Sequence, residues 1–404
     1  MQSITEPTEA QLNNIVGPYL NQAKATAGVG LGIVIGYVGP GFSNIYPFGS
    51  LLNQAQQPYL LNQAKQQLAL TNDTPFALAS VSKTFTATLY GLLIPNAQKQ
   101  NPTLGDFPLN IGTQFQNIPI GTLVNYTSGL PADNDTVTDL PPLLPAPYST
   151  AGMLGFLNLP NNMMLAQSGT VYAYSNLGFA IASAVLPFLY GDGTSSYEAL
   201  IQSQIWQQLG FSGNTSFFED VRLDQLPLGY DYDGTTTTWT PVPAGNKAFP
   251  AYHGAGGVVS TPNDMMKWLQ FNMGIQQNAI LSPLLPVLQN PSTKVTHGTT
   301  QIGLGWFMTQ QVSPKSPYPA IFKDGGHDGV STYIAFLPGP EMIPVMPGVP
   351  PLAVPSPAGV FVLTNSQGLY NYTGTTPTEM SEDVAYNVLN IMQGFQAVPW
   401  VGRD

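Results

Sequence analysis

The stretch Thr74–Pro95, TPFALASVSKTFTATLYGLLIP, decides how this chain is read. A short apolar lead, Phe76 to Ala79, runs into Ser80-Val81-Ser82-Lys83. A helix follows, with Phe85, Leu89, Leu92 and Leu93 at helical spacing and a stop at Pro95. Three residues apart on the opening turn, Ser80 and Lys83 share a face, so the amine comes within hydrogen-bond reach of the hydroxyl. One reading is a nucleophile beside its base. The unpaired N–H groups and positive dipole end of the helix start would favour an anion at the serine and the oxyanion of an acylated substrate. The other reading is a serine that caps a helix. A Ser-x-x-Lys alone is too short to decide between them.

Composition sets the outer bounds. At 404 residues and 43% hydrophobic content the chain can bury a large core, in two lobes or in one large domain with an insertion. Only 8% of residues are charged and the net charge is −11, which repels phosphates and argues against a nucleic-acid partner or an anionic membrane surface. With no cysteine, disulfides, Cys-based zinc sites and a thiol nucleophile are excluded. Gly178–Tyr190, among the longest nearly apolar runs, is too short to span a bilayer. The opening MQSITEPTEAQ lacks a basic and an apolar leader region, as in a mature exported protein, so a periplasmic or secreted location is expected. No cofactor or metal is expected, and the oligomeric state stays open.

In chain order, residues 8–25 predict an amphipathic helix with Leu12, Ile15, Val16, Tyr19 and Leu20 on one face. Gly30–Tyr37 and Asn44–Phe48 predict a hairpin turned at Gly39–Gly41, and Ser50–Ala69 a connection. Beyond Pro95 come short helical pieces such as Gly121–Pro131, a proline-rich loop at Pro141–Pro147, and helices at Glu198–Leu209 and from Asp264. Strands return at Gly303–Met308, Thr332–Leu337 and Val360–Thr364, before a closing helix over Thr378–Phe395. The pattern predicts an α/β fold whose sheet is completed by both ends of the chain. Residues 1–75 and 265–404 would form the α/β domain, and 76–264 a mostly helical domain carrying Ser80.

Two further stretches carry chemistry. In Val171–Gly178, VYAYSNLG, Tyr174 can present its hydroxyl to Ser80 and Asn176 can bond Lys83 or a substrate amide; the alternative is a buried tyrosine and a capping asparagine. In Phe322–Leu337, FKDGGHDGVSTYIAFL, a Gly-rich turn delivers His327 to the start of a strand. There Gly329 leaves room for a substrate along the backbone, and the Val330 N–H is placed to be a second oxyanion donor. The other histidines, His253 and His297, share no metal spacing with His327.

Ser80-Val81-Ser82-Lys83, Tyr174-Ser175-Asn176 and His327-Asp328-Gly329, in that order, resemble the three motifs of the serine β-lactamase and penicillin-binding-protein superfamily. The likeness is nearer to the class C β-lactamase-like branch, with its esterases, D-aminopeptidases and D-alanyl-D-alanine carboxypeptidases. LVNYTSGLP at 123–131, GAGGVVSTPNDM at 254–265 and GLGW at 303–306 resemble that branch's flanking text. The resemblance implies a β-lactamase/transpeptidase-like fold, an antiparallel sheet flanked by helices with an inserted all-helical domain and the active site between. It implies Ser80 as nucleophile, Lys83 and Tyr174 as the pair that activates it, Asn176 as a contact to substrate or lysine, and an oxyanion hole from the N–H groups of Ser80 and Val330. The implied reaction is acyl transfer through Ser80 to water, on a small-molecule or peptide substrate with an ester or D-amino-acid amide bond. A true β-lactamase and a slowly acylating penicillin-binding sensor are the alternatives. His327 stands where class C β-lactamases are expected to carry lysine, and Lys323 is left outside the motif. Weak β-lactam hydrolysis is the expectation that follows.

Overall fold

The computed structural model describes residues 4–53, 67–96, 101–133, 150–158, 164–191, 193–242, 250–309, 319–337, 357–370 and 378–397. The proline-rich stretch 141–147 lies outside them, as does most of the connection expected at 50–69.

Helix α1, Glu9–Lys24, begins at Thr8, which forms a capping box with Gln11. It buries Leu12, Ile15, Val16 and Tyr19, while Leu20 packs partly buried at the edge of that face. Strands β1 (Gly32–Gly39) and β2 (Phe42–Gly49) form the first hairpin, in which Gly41 takes the positive φ of 83° that the tight turn requires. Five later strands join them: β3 (Gln301–Ile302), β4 (Phe307–Thr309), β5 (Ala320–His327), β6 (Val330–Phe336) and β7 (Gly359–Thr364). The order is β3-β4-β5-β6-β7-β1-β2, antiparallel throughout. The two ends of the chain meet where β7 pairs with β1, from Ile33↔Thr364 to Val38↔Gly359.

Both faces of the sheet are covered, which is why β1 is apolar and buried along its whole length. Gly359 lies against Leu269 and Met273 at the end of one helix, Pro262–Asn272. Thr364, five residues on and so on the other face, reaches Met380 of the closing helix, Met380–Met392. Among the described residues, 76–264 carries the helices Ser82–Leu93 and Asn176–Tyr190 but also short strands. Phe76–Ala77 and Ser216–Phe217 pair with Val258–Ser260, and Gly229–Asp233 pairs with Thr238–Val242 and with Ser366–Gln367 from the C-terminal part. One core runs through both parts of the chain, with Phe85 stacked on Trp268 at 4.1 Å. Among the described residues no helix is long and apolar enough to cross a membrane.

Candidate active site

Ser80 sits in a single 3₁₀ turn, Ala79–Val81, that leads into the helix Ser82–Leu93. The residue before it, Ala79, is left-handed with φ 46°, a conformation that costs an L-residue and is sustained only by surrounding contacts. Those contacts are visible: the Leu78 N–H donates to the Val258 carbonyl at 2.8 Å, and the Thr332 hydroxyl donates to the Leu78 carbonyl at 2.8 Å. Ser80 makes no cap; neither turn start carries a side-chain cap. Its Oγ instead accepts from Lys83 Nζ at 3.0 Å and from the Tyr174 hydroxyl at 2.6 Å.

Lys83 is fully buried, and its Nζ also donates to Asn176 Oδ1 at 2.7 Å and to the Ala255 carbonyl at 2.6 Å. Burial, helped by the nearby Lys323 ammonium, holds its pKa well below the usual lysine range against the opposing pull of Asp133 and Asp324. Tyr174 goes the other way: burial and then the Asp324 carboxylate push its phenol well above the usual value, against the Ser80 hydrogen bond. Its ring stacks on Tyr126 at 5.4 Å. Asn176 opens the helix Asn176–Tyr190, but the cap is Ser175, whose Oγ accepts from the Gly178 N–H at 2.9 Å. The asparagine is thereby left to face Lys83.

The third stretch lands differently from the sequence expectation. Strand β5 carries Lys323, Asp324, Gly325 and Gly326 past Ser80, and a cavity of about 500 Å³ is lined by Ser80, Tyr174, Asn176, Asp324, Gly325 and Gly326 among others. A Cβ at Gly325 would stand 2.5 Å from the Leu78 carbonyl and 3.1 Å from the Ser80 nitrogen, so the glycine permits the strand to touch the Ser80 turn. His327, Gly329 and Val330 are not among the cavity's lining residues. His327 closes β5, paired with Val330 across the hairpin. Gly329 makes room for the backbone of Gly229 rather than for a substrate, and its N–H donates to Asp231 Oδ1 at 2.6 Å. Val330 is buried and lines a separate small void with Phe76 and Phe218. The physical reason is strand geometry: the two-residue turn Asp328-Gly329 puts the His327-Val330 end of the hairpin beyond the crevice. Lys323-Asp324-Gly325 has the same basic-Asp-Gly form four residues earlier, at the lysine first read as lying outside the motif.

Lys323 is fully buried, and its Nζ donates to the Asp324 carbonyl at 2.6 Å and to Asp324 Oδ1 at 2.9 Å. The cavity wall also includes His297, stacked on Tyr172 at 4.4 Å, and Glu379 and Glu382 from the start of the closing helix. No motif in the sequence points to these, because they reach the cavity only through the tertiary fold. Behind Lys83 lies a second charged group. His253 places Nδ1 2.7 Å from Glu198 and Nε2 2.6 Å from Glu219. Burial alone would lower its pKa, but the two carboxylates override this and raise it to about 9. His253 begins the short helix His253–Gly256 that presents the Ala255 carbonyl to Lys83.

Fold and site together define a serine-nucleophile enzyme of the β-lactamase/transpeptidase class. The chain belongs to the Beta-lactamase family, whose family model matches residues 53–381. Among curated proteins it is similar to an unguisins hydrolase of Aspergillus campestris, 26% identical over 67% of this chain and 51% of that protein, so it spans about half of that relative's length. It is similar to a β-lactamase of Escherichia coli K12, 24% identical over 82% of this chain and 83% of that one. Among solved structures, the octameric penicillin-binding protein homologue from Pyrococcus abyssi superposes with a TM-score of 0.69 at 18% identity, covering 96% of this chain and 78% of that one.

Proposed function

We propose that this chain is a serine hydrolase that cleaves ester or amide bonds, including D-amino-acid peptide bonds, through an acyl-Ser80 intermediate. The observation that carries the reading is the set of contacts at Lys83 Nζ. When the amine is neutral, which its depressed pKa favours, its two N–H bonds are taken by Asn176 Oδ1 and the Ala255 carbonyl. The lone pair is then left to face Ser80 Oγ, 3.0 Å away. Lys83 therefore takes the serine proton as Oγ attacks the carbonyl carbon. Tyr174, with its pKa raised, remains a phenol and hands its proton toward the leaving group, being reprotonated from Lys83. Water, deprotonated by the same pair, then releases the acyl group.

The oxyanion donors are reassigned. In a two-residue hairpin the flanking pair His327–Val330 exchanges its backbone hydrogen bonds, so Gly326, one step back, turns its N–H away from β6 and toward the crevice it lines. The N–H groups of Ser80 and Gly326 take the roles first expected of Ser80 and Val330.

The test is a chromogenic ester in stopped flow together with a fluorophosphonate label. A burst followed by steady turnover, with label on Ser80 and none in Ser80→Ala, supports the hydrolase. A burst without turnover would mark a slowly acylating binder, and label on Ser82 or Ser128 would overturn the assignment of the nucleophile.

A further inference from the structure

Resting on the hydrolase reading above, we propose that this active site selects substrates that carry a positive charge, an ammonium group held by Glu379 beside the acyl bond that Ser80 attacks. Three carboxylates, Asp324, Glu379 and Glu382, line the cavity that holds Ser80, and no lysine or arginine is among its described lining residues. The side chain that could have answered an anionic substrate is already paired: Lys323 has 0% of its side chain exposed, both of its hydrogen bonds go to Asp324, and its Nζ lies over the Tyr174 and Phe307 rings at 5.5 and 5.3 Å. Asp324 itself is 55% exposed, so the charge at the open end of that pair is negative.

Glu379 is not explained by the helix it precedes. Negative side chains in a first turn complement the helix dipole, which accounts for Glu382 and Asp383. Glu379 stands at the N-cap position and makes no cap; its Oε2 accepts instead from the Gly368 N–H at 3.3 Å. Burial, with the Glu382, Asp324 and Asp231 carboxylates facing it, raises its pKa to about 7 against that single N–H bond. A bound ammonium would relieve that strain, and a second anion would add to it. Aromatic side chains line the same cavity, Tyr172 and Tyr333 beside the carboxylates and Phe307 with Lys323 Nζ already over its ring at 5.3 Å. The chemistry fits the amine of an amino-acid ester, amide or peptide, and it disfavours acyl donors that bear a carboxylate.

Two charge series separate this from the parent reading. The first is p-nitrophenyl pentanoate with its 5-trimethylammonio and 5-sulfonate analogues. The second is the acetyl thioesters of propanethiol, 2-(trimethylammonio)ethanethiol and 3-mercaptopropionate, which place the charge on the leaving group. In at least one series the cation should exceed the neutral member in kcat/KM by about tenfold and the anion should fall about tenfold below it, with the spread narrowing as salt is added. Glu379→Gln should lower the cation-to-neutral ratio about tenfold, a readout in which any general loss of activity cancels. The wild-type ratios decide the matter even if that variant fails to fold. Ser80-dependent turnover with all members within about threefold in both series, or with the anion first, overturns the charge selection alone. No turnover in any member sinks the hydrolase reading and this inference with it.

Discussion

Replacing Gly325 with alanine tests whether β5 lies against the Ser80 turn. The new methyl would stand 2.3 Å from Thr332 Oγ1, 2.5 Å from the Leu78 carbonyl and 3.1 Å from the Ser80 nitrogen. The threonine can rotate, but the carbonyl is backbone, and ordinary contact requires that either the Leu78–Ser80 turn or β5 yield by roughly 1 Å. The Thr332–Leu78 hydrogen bond, 2.8 Å long, lies across the same space and would break. Overpacking of this kind costs about 1–3 kcal/mol and the lost bond about 1 kcal/mol, so the unfolding midpoint should fall while the protein remains folded. A displacement of ~1 Å at reacting groups costs about a hundredfold in rate, so kcat on a p-nitrophenyl ester should drop far more than the stability loss alone would suggest. Gly329→Ala is the comparison. It is strained by its φ of 69° and would crowd Gly229, yet it lies outside the cavity, so stability should suffer while the folded fraction keeps its kcat. The reasoning is refuted if folded Gly325→Ala retains kcat/KM within about threefold of wild type.

Tyr174→Phe removes the donor 2.6 Å from Ser80 Oγ and should lower the acylation rate about a hundredfold or more, read by single-turnover labelling, without altering the fold. Lys323→Met removes the ammonium that, after burial, most depresses Lys83, and frees the Asp324 carboxylate to favour charged Lys83. The acid limb of the pH–kcat/KM profile should therefore move to higher pH; a limb that stays in place would detach Lys83 from it. His327→Lys should leave nitrocefin turnover within about threefold of wild type, because that side chain does not line the cavity; a large gain would restore the role first expected of His327. The His253 clamp gives a stability signature. With a folded pKa of about 9 against an ordinary 6.5, its contribution of about 3 kcal/mol is complete below pH 6.5 and is lost as pH rises through about 9. Wild type should lose thermal stability over that window, and His253→Gln should show no such slope.

Much of the fold was legible because periodicity and turn chemistry are local. The helix at 9–24, the hairpin through Gly41 and the closing helix all follow from spacing that no tertiary contact overrides. Ser80 and Lys83 were open to reading together because three residues at a helix start share a face, whereas Tyr174 and Asn176 were singled out only by the resemblance of three ordered motifs. The third stretch was not legible. A strand repeats its face every two residues, so Lys323 and His327, four apart, point alike, and only the position of the hairpin turn tells which part of β5 passes Ser80. Glu379 and His297 lie 299 and 217 residues from Ser80 in the chain and share no motif with it, so their place in the cavity is a property of packing alone.

The left-handed Ala79 has a consequence for evolvability. Its backbone conformation stores strain of about 1–2 kcal/mol at the step before Ser80, and the rest of the fold has to be stable enough to hold it. Ala79→Gly would relax that step and yield a sturdier protein, since glycine adopts a positive φ freely. It would also let the Ser80 hydroxyl swing through a wider arc. Selection for heat tolerance and selection for turnover thus pull this one position in opposite directions, and the tolerance of the whole enzyme to mutation depends on how much stability is left once the turn is wound.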